Sequence, residues 1–186
     1  MAESSSLSPK IIGIILIPVI LLLSLIAASY LFQTPIPNQM DITVQKIGGQ
    51  NIDTLSFKGK VLVIEFFATY CDYCVETAQN FVSIMQNSSV SNVLFLSVSI
   101  DPVHDSDKRL NEFIANNNFT DYVGTNWLLT RDMTEQYVDY GVSATPHTFL
   151  INTNSQIVDQ HVGLMTFTNL YEWLTNSTLT TTLAGN

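Results

Sequence analysis

Cysteine is nearly absent from this chain: two of 186 residues, Cys71 and Cys74, both in the stretch EFFATYCDYCVETA. A structural zinc centre normally needs four Cys or His ligands, and the lack of a second cysteine pair argues against one. Basic residues are also scarce, seven Lys and Arg against sixteen Asp and Glu, for a net charge of −9. That balance argues against nucleic acid or an anionic lipid surface as partner. Charge is absent altogether from residues 11 to 32. There is no internal repeat, and the length accommodates one membrane segment and one globular domain with a real core.

What replaces charge over residues 11–32 is IIGIILIPVILLLSLIAASYLF, which as a helix would span roughly 30 Å, the thickness of a bilayer core. A transmembrane anchor is expected there, with the rival of a cleaved signal peptide ending at the small residues Ala27 to Ser29. Lys10 precedes the run, and no positive charge follows until Lys46, so the positive-inside bias puts residues 1–10 in the cytoplasm. Residues 33–40, with Pro35 and Pro37, make a short stiff linker. Residues 41–186 then form one exported domain, held at the cell membrane by a single span.

Within that domain, Ile42–Ile47, the turn GGQ and the run IDTLSF predict a β-hairpin. Val61–Ala68 and Val93–Ile100 are nearly unbroken apolar runs, the pattern of strands buried on both faces. The segment from Cys71 to about Asn87 carries apolar residues at helical spacing, as does the one around Leu110, Phe113 and Ile114. WLLT reads as a short strand and MTEQYVDYG as a helix closed by Gly141. HTFLIN and QIVDQHV form a second hairpin, and TNLYEWLTN a last helix. Strands alternating with helices and ending in a hairpin specify an α/β architecture with a mixed central sheet.

Two cysteines at the junction of a buried strand and a helix put Cys71 at the helix N-terminus, where free N–H groups and the helix dipole favour a thiolate. Cys71 is therefore the expected nucleophile, and Cys74, one turn inside, the resolving thiol. The alternative is a structural disulfide, but one closing so short a loop constrains the unfolded chain little. FKGKVLVIEFFATYCDYC, VLFLSVSID and YGVSATPHTFLINTNSQIVDQHVG together resemble the thioredoxin-like proteins. Within them they resemble the membrane-anchored TlpA/ResA-like thiol–disulfide oxidoreductases, over roughly residues 41 to 176.

The resemblance implies a thioredoxin fold with an N-terminal β-hairpin, no cofactor beyond a redox-active Cys71–Cys74 disulfide, and a cis-proline at Pro146. Thr145 and Pro146 would then bind the backbone of a substrate strand, with Tyr70 and Tyr73 flanking the cysteines. It also implies that Glu65, six residues before Cys71, exchanges protons with Cys74, a role suited to a buried carboxylate of raised pKa. Exported proteins bearing thiols or disulfides are the expected substrates, a membrane redox protein the recycling partner, and the chain is expected to be monomeric.

Departures from the family pattern bear on direction. Tyr70 replaces a tryptophan, and Asp72-Tyr73 replaces a pair that commonly includes proline. An acid beside Cys71 opposes thiolate formation and favours reduction or general exchange. Tyr73 before the second cysteine and Thr145 before the cis-proline are instead similar to disulfide isomerases of the DsbC type, which makes a DsbA/DsbC-like oxidase or isomerase the first alternative. The stretch VSIDPVHDSDKRLNEF is similar to Sco-type copper chaperones, which hold copper with two cysteines and a distant histidine. Cys71, Cys74 and His147 are the candidate copper ligands on that second alternative. His104, in the acidic loop DPVHDSD, is expected to be solvated.

Overall fold

The computed structural model describes residues 18–24, 37–87 and 93–175. The chain divides into two units, Met1–Ile36 and Pro37–Asn186. In the first, residues 18–24 are helical, with Val19 to Leu23 exposed. The rest of the expected 11–32 span lies outside the described residues, among which no helix is long and apolar enough to cross a membrane.

The second unit is built on a seven-stranded sheet: β1 (Thr43–Lys46), β2 (Asn51–Asp53), β3 (Val61–Phe67), β4 (Val93–Ser99), β5 (Trp127–Arg131), β6 (His147–Ile151) and β7 (Ile157–Val162). Their order across the sheet is β2-β1-β5-β4-β3-β6-β7. β3, β4 and β5 run parallel, while β1, β6 and β7 pair antiparallel to their neighbours. β3 is thus central and covered on both faces, as its unbroken apolar sequence requires.

The two faces carry separate cores. Val63 and Phe67 of β3 point to the face where α1 (Asp72–Met85), α2 (Asp107–Asn116) and α3 (Phe167–Thr175) pack through Phe81, Leu110 and Leu170. Leu62, Ile64 and Phe66 point the other way, against Met40, Ile42, Tyr140 and Phe149. Truncating a buried ring such as Phe81, 0% exposed, costs about 3 to 5 kcal/mol in a core of this kind. The chain enters the sheet next to the β6–β7 turn: the Met40 N–H donates to the Ser155 carbonyl and the Ile157 N–H to the Asn38 carbonyl, both at 2.9 Å.

Two elements depart from the sequence expectation. The second hairpin strand stops at Asp53, because its carboxylate accepts the Leu55 N–H at 2.8 Å and caps a 3-10 turn over Thr54–Phe57. The segment closed by Gly141 is a 3-10 helix, Gln136–Tyr140. The Asp132 carboxylate takes the N–H groups of Thr134 and Tyr137 at 3.0 and 2.8 Å, and Glu135 turns left-handed at φ 58, so no α-helical ladder can start there. Gly141 does close it, at φ 70, a conformation that favours glycine. The short strand expected at WLLT is β5, which lies inside the sheet between β1 and β4.

Candidate active site

β3 ends at Phe67 and the chain turns through Ala68, Thr69 and Tyr70 into α1. The Cys71 N–H closes this turn on the Ala68 carbonyl at 3.1 Å. Cys71 is the N-cap of α1, its Sγ accepting the Cys74 N–H at 3.2 Å. That places the sulfur where the helix dipole and unpaired N–H groups stabilise negative charge. Cys71 and Cys74 form a disulfide with unequal burial: Cys71 is half-buried, Cys74 fully buried in the helical core.

Glu65 shares the face of β3 that carries Val63 and Phe67, the face on which Cys74 is buried. It is 1% exposed, and burial pushes its carboxyl up from 4.5 to about 8, opposed by a hydrogen bond from Ser97. Ser97 Oγ donates to Glu65 Oε2 at 2.9 Å, and the Trp127 Nε1–H donates to Ser97 Oγ at 3.0 Å. Glu65 Oε1 has no hydrogen-bond partner. Glu65 is thus a buried carboxyl of raised pKa on the same sheet face as Cys74.

The Thr145–Pro146 peptide bond is cis. His147 pairs with Phe66 across β3 and β6, which brings Pro146 level with the end of β3, where the cysteine turn begins. Pro146 is buried, Thr145 half-buried, and the Gly163 N–H fixes the Pro146 carbonyl at 2.8 Å. Tyr70 and Tyr73, 62% and 63% exposed, stand on either side of Cys71.

His147 does not join this group. It stacks on Phe149, ring centroids 4.4 Å apart, and its Nε2 pairs with Gln160 Oε1 at 3.0 Å, on the face away from α1. Burial lowers its pKa, with the Gln160 hydrogen bond opposing and the charge of His161 assisting. Among the described residues, no group of three or more His, Cys, Asp or Glu is placed to hold a metal ion.

His104 is not simply solvated. Its Nδ1 pairs with Asp105 Oδ1 at 2.9 Å, and its ring meets Tyr70 edge-on with centroids 4.9 Å apart. Asp105, 0% exposed, also accepts the Thr69 N–H at 3.1 Å, the Thr69 hydroxyl at 2.5 Å and the Ser99 hydroxyl at 2.6 Å. Tyr70 donates to Asp101 at 3.2 Å. This network fastens the residues just before Cys71 to the β4–α2 loop, and sequence reasoning missed it. The available signal was Ser99, a hydroxyl at the end of a largely apolar strand.

A model of the AhpC/TSA family matches residues 35–160. The thiol-disulfide oxidoreductase ResA of Bacillus subtilis (strain 168) is 24% identical over 135 residues, covering 72% of this chain and 70% of ResA. A SCO1 protein homolog of the same organism is 31% identical over 77 residues, covering 40% of each chain. The crystal structure of StoA from Bacillus subtilis matches with a TM-score of 0.59 at 22% identity, over 75% of this chain and 98% of StoA. At that identity the likeness to StoA is one of fold.

Proposed function

The chain belongs to the AhpC/TSA family of thioredoxin-like proteins and is a thiol–disulfide oxidoreductase, and from that premise we propose that it reduces or exchanges disulfides in exported proteins through Cys71 and Cys74. The observation that carries this reading is the unequal burial of the two disulfide-bonded cysteines at the N-terminus of α1. In the reduced enzyme, the Cys71 thiolate attacks a partner disulfide, forming a mixed disulfide and releasing one partner thiolate. Cys74 passes its proton to the Glu65 carboxylate and attacks the Cys71 sulfur, releasing the second partner thiolate. The partner gains two electrons and the enzyme returns to the disulfide form.

Thr145 and Pro146 lie at the same end of the sheet and would hold the backbone of the partner, with Tyr70 and Tyr73 as its apolar flanks. Lys10 and the apolar run 11–32 support a single-pass anchor with a cytoplasmic N-terminus and an extracytoplasmic domain. A membrane redox protein would then re-reduce the pair. Asp72 beside Cys71 favours the reducing direction over a DsbA/DsbC-like one.

Trapping tests the reading. Cys74→Ser should accumulate mixed disulfides with exported proteins, while Cys71→Ser should not; failure of Cys74→Ser to trap any partner defeats it. Equilibration in glutathione buffers reports direction, since reductants lie near about −270 mV and strong oxidants near about −120 mV.

The SCO1-homolog likeness favours copper delivery as a second reading. Two residues between the cysteines and a His147 committed to Phe149 and Gln160 weigh against it. Copper binding that requires Cys71, Cys74 and His147, in a protein without exchange activity, would establish it instead.

A further inference from the structure

We propose that Ser97, oriented by Trp127, is a positioning residue that fixes the Glu65 carboxyl so that Oε1 is the oxygen exchanging a proton with Cys74. This rests on the exchange reaction proposed above.

Glu65 and Ser97 are register partners on parallel strands, and Trp127 of β5 is level with Phe95, two residues before Ser97. All three side chains are buried, at 1%, 1% and 0% exposure. An indole N–H can only donate, and a serine hydroxyl has one hydrogen to give. Trp127 donates to Ser97 Oγ, so that oxygen is already an acceptor, and the only acceptor for its own hydrogen among the described residues is Glu65 Oε2. The chain of donation therefore runs one way, from indole to hydroxyl to Oε2. With Oε2 committed as an acceptor, a proton arriving at the carboxyl goes to Oε1, which is buried and free of any partner.

Among the described residues, the Ser97 hydroxyl makes the one hydrogen bond to the carboxyl. Across the strand pair on the other side stands Thr148, a hydroxyl that makes no hydrogen bond to Glu65. From α1 come Cys74, held in the disulfide, and Thr77, whose hydroxyl accepts the Met165 N–H at 3.2 Å. Burial raises the carboxyl, and the Ser97 hydrogen bond is the one influence lowering it. Ser97 therefore controls both where the proton sits and how readily it leaves, without touching the reacting sulfur.

The test uses the full-length chain with Ser97→Ala and Ser97→Thr, following the carboxyl absorption of Glu65 in the infrared against pH, with Glu65→Gln to assign the band. Ser97→Ala should move the C=O stretch of protonated Glu65 to higher frequency, because its acceptor oxygen loses its donor. It should also raise the Glu65 midpoint by about one pH unit, a tenfold change in proton affinity. Ser97→Thr, which keeps the hydroxyl, should restore both. In single-turnover resolution of the mixed disulfide, Ser97→Ala should shift the pH profile upward with Glu65 present and leave it unchanged in Glu65→Gln. A folded Ser97→Ala protein whose Glu65 band and midpoint match the wild type overturns the proposal, as does an equal shift of the rate profile in Glu65→Gln. Loss of the exchange reading alone would appear elsewhere, as the failure of Cys74→Ser to trap partners.

Discussion

Two buried carboxylates flank the cysteine turn, and they are treated in opposite ways. Asp105 is surrounded by donors: the Thr69 N–H, the hydroxyls of Thr69 and Ser99, and the His104 ring. Glu65 receives a single hydrogen bond and keeps one oxygen bare. A carboxyl ringed by donors is locked in one orientation and ties segments together. A carboxyl starved of donors in an apolar setting holds its proton to higher pH, and can trade it where a thiol must lose one. The same functional group thus serves as a fastener at Asp105 and, in the proposed reaction, as a proton carrier at Glu65.

That contrast can be broken first at the fastener. Asp105→Ala strands the Thr69 and Ser99 hydroxyls and the Thr69 N–H, and should cost about 3 to 5 kcal/mol in urea unfolding, since removing one partner from a buried charged network leaves the rest unpaired. Glu65→Gln should do the reverse, leaving the fold intact while slowing resolution of the mixed disulfide about 100-fold in single-turnover kinetics.

Glu65→Gln should also change how stability depends on pH. Folded Glu65 holds its proton to about 8, whereas its ordinary value is 4.5. Between those values the folded state keeps a proton that the unfolded chain has released, so wild-type stability falls as pH rises. The contribution is complete below 4.5 and gone above about 8. The slope is at most about 1.4 kcal/mol per pH unit, and it should vanish from unfolding curves of Glu65→Gln.

A smaller effect is expected for His104→Ala, which removes one of the Asp105 partners and the ring facing Tyr70. It should lower stability by about 1 kcal/mol in thermal unfolding. Smallest is Tyr73→Ala, at an exposed position, which should change stability by less than about 0.5 kcal/mol. Its effect should show instead as a raised KM for protein disulfides with little change for a small disulfide such as oxidised glutathione.

The burial of Glu65 was legible in the sequence and that of Asp105 was not. Glu65 announces itself as a single acid inside VLVIEFFA, six residues before Cys71, and a buried strand leaves such a residue no route to water. The cysteine pair and the cis Thr145–Pro146 bond are equally local signals. Asp105 is one of three acids in DPVHDSD, and its burial depends on Thr69, Ser99 and His104 converging from three segments. Nothing in that loop's own composition separates the buried acid from its solvated neighbours. The 3-10 segment before Gly141 escaped for a similar reason, since the Asp132 carboxylate outcompetes the helical ladder that the apolar spacing invites.

The entry of the chain beside the β6–β7 turn has a mechanical consequence. Ile151, at the end of β6, pairs with Leu62 near the start of β3, whereas Cys71 follows the far end of that strand. β3 is seven residues long, so roughly 20 Å of strand separates the two poles. Residues 37–40 are therefore fastened at the pole opposite the disulfide, away from the end at which a partner sulfur must arrive.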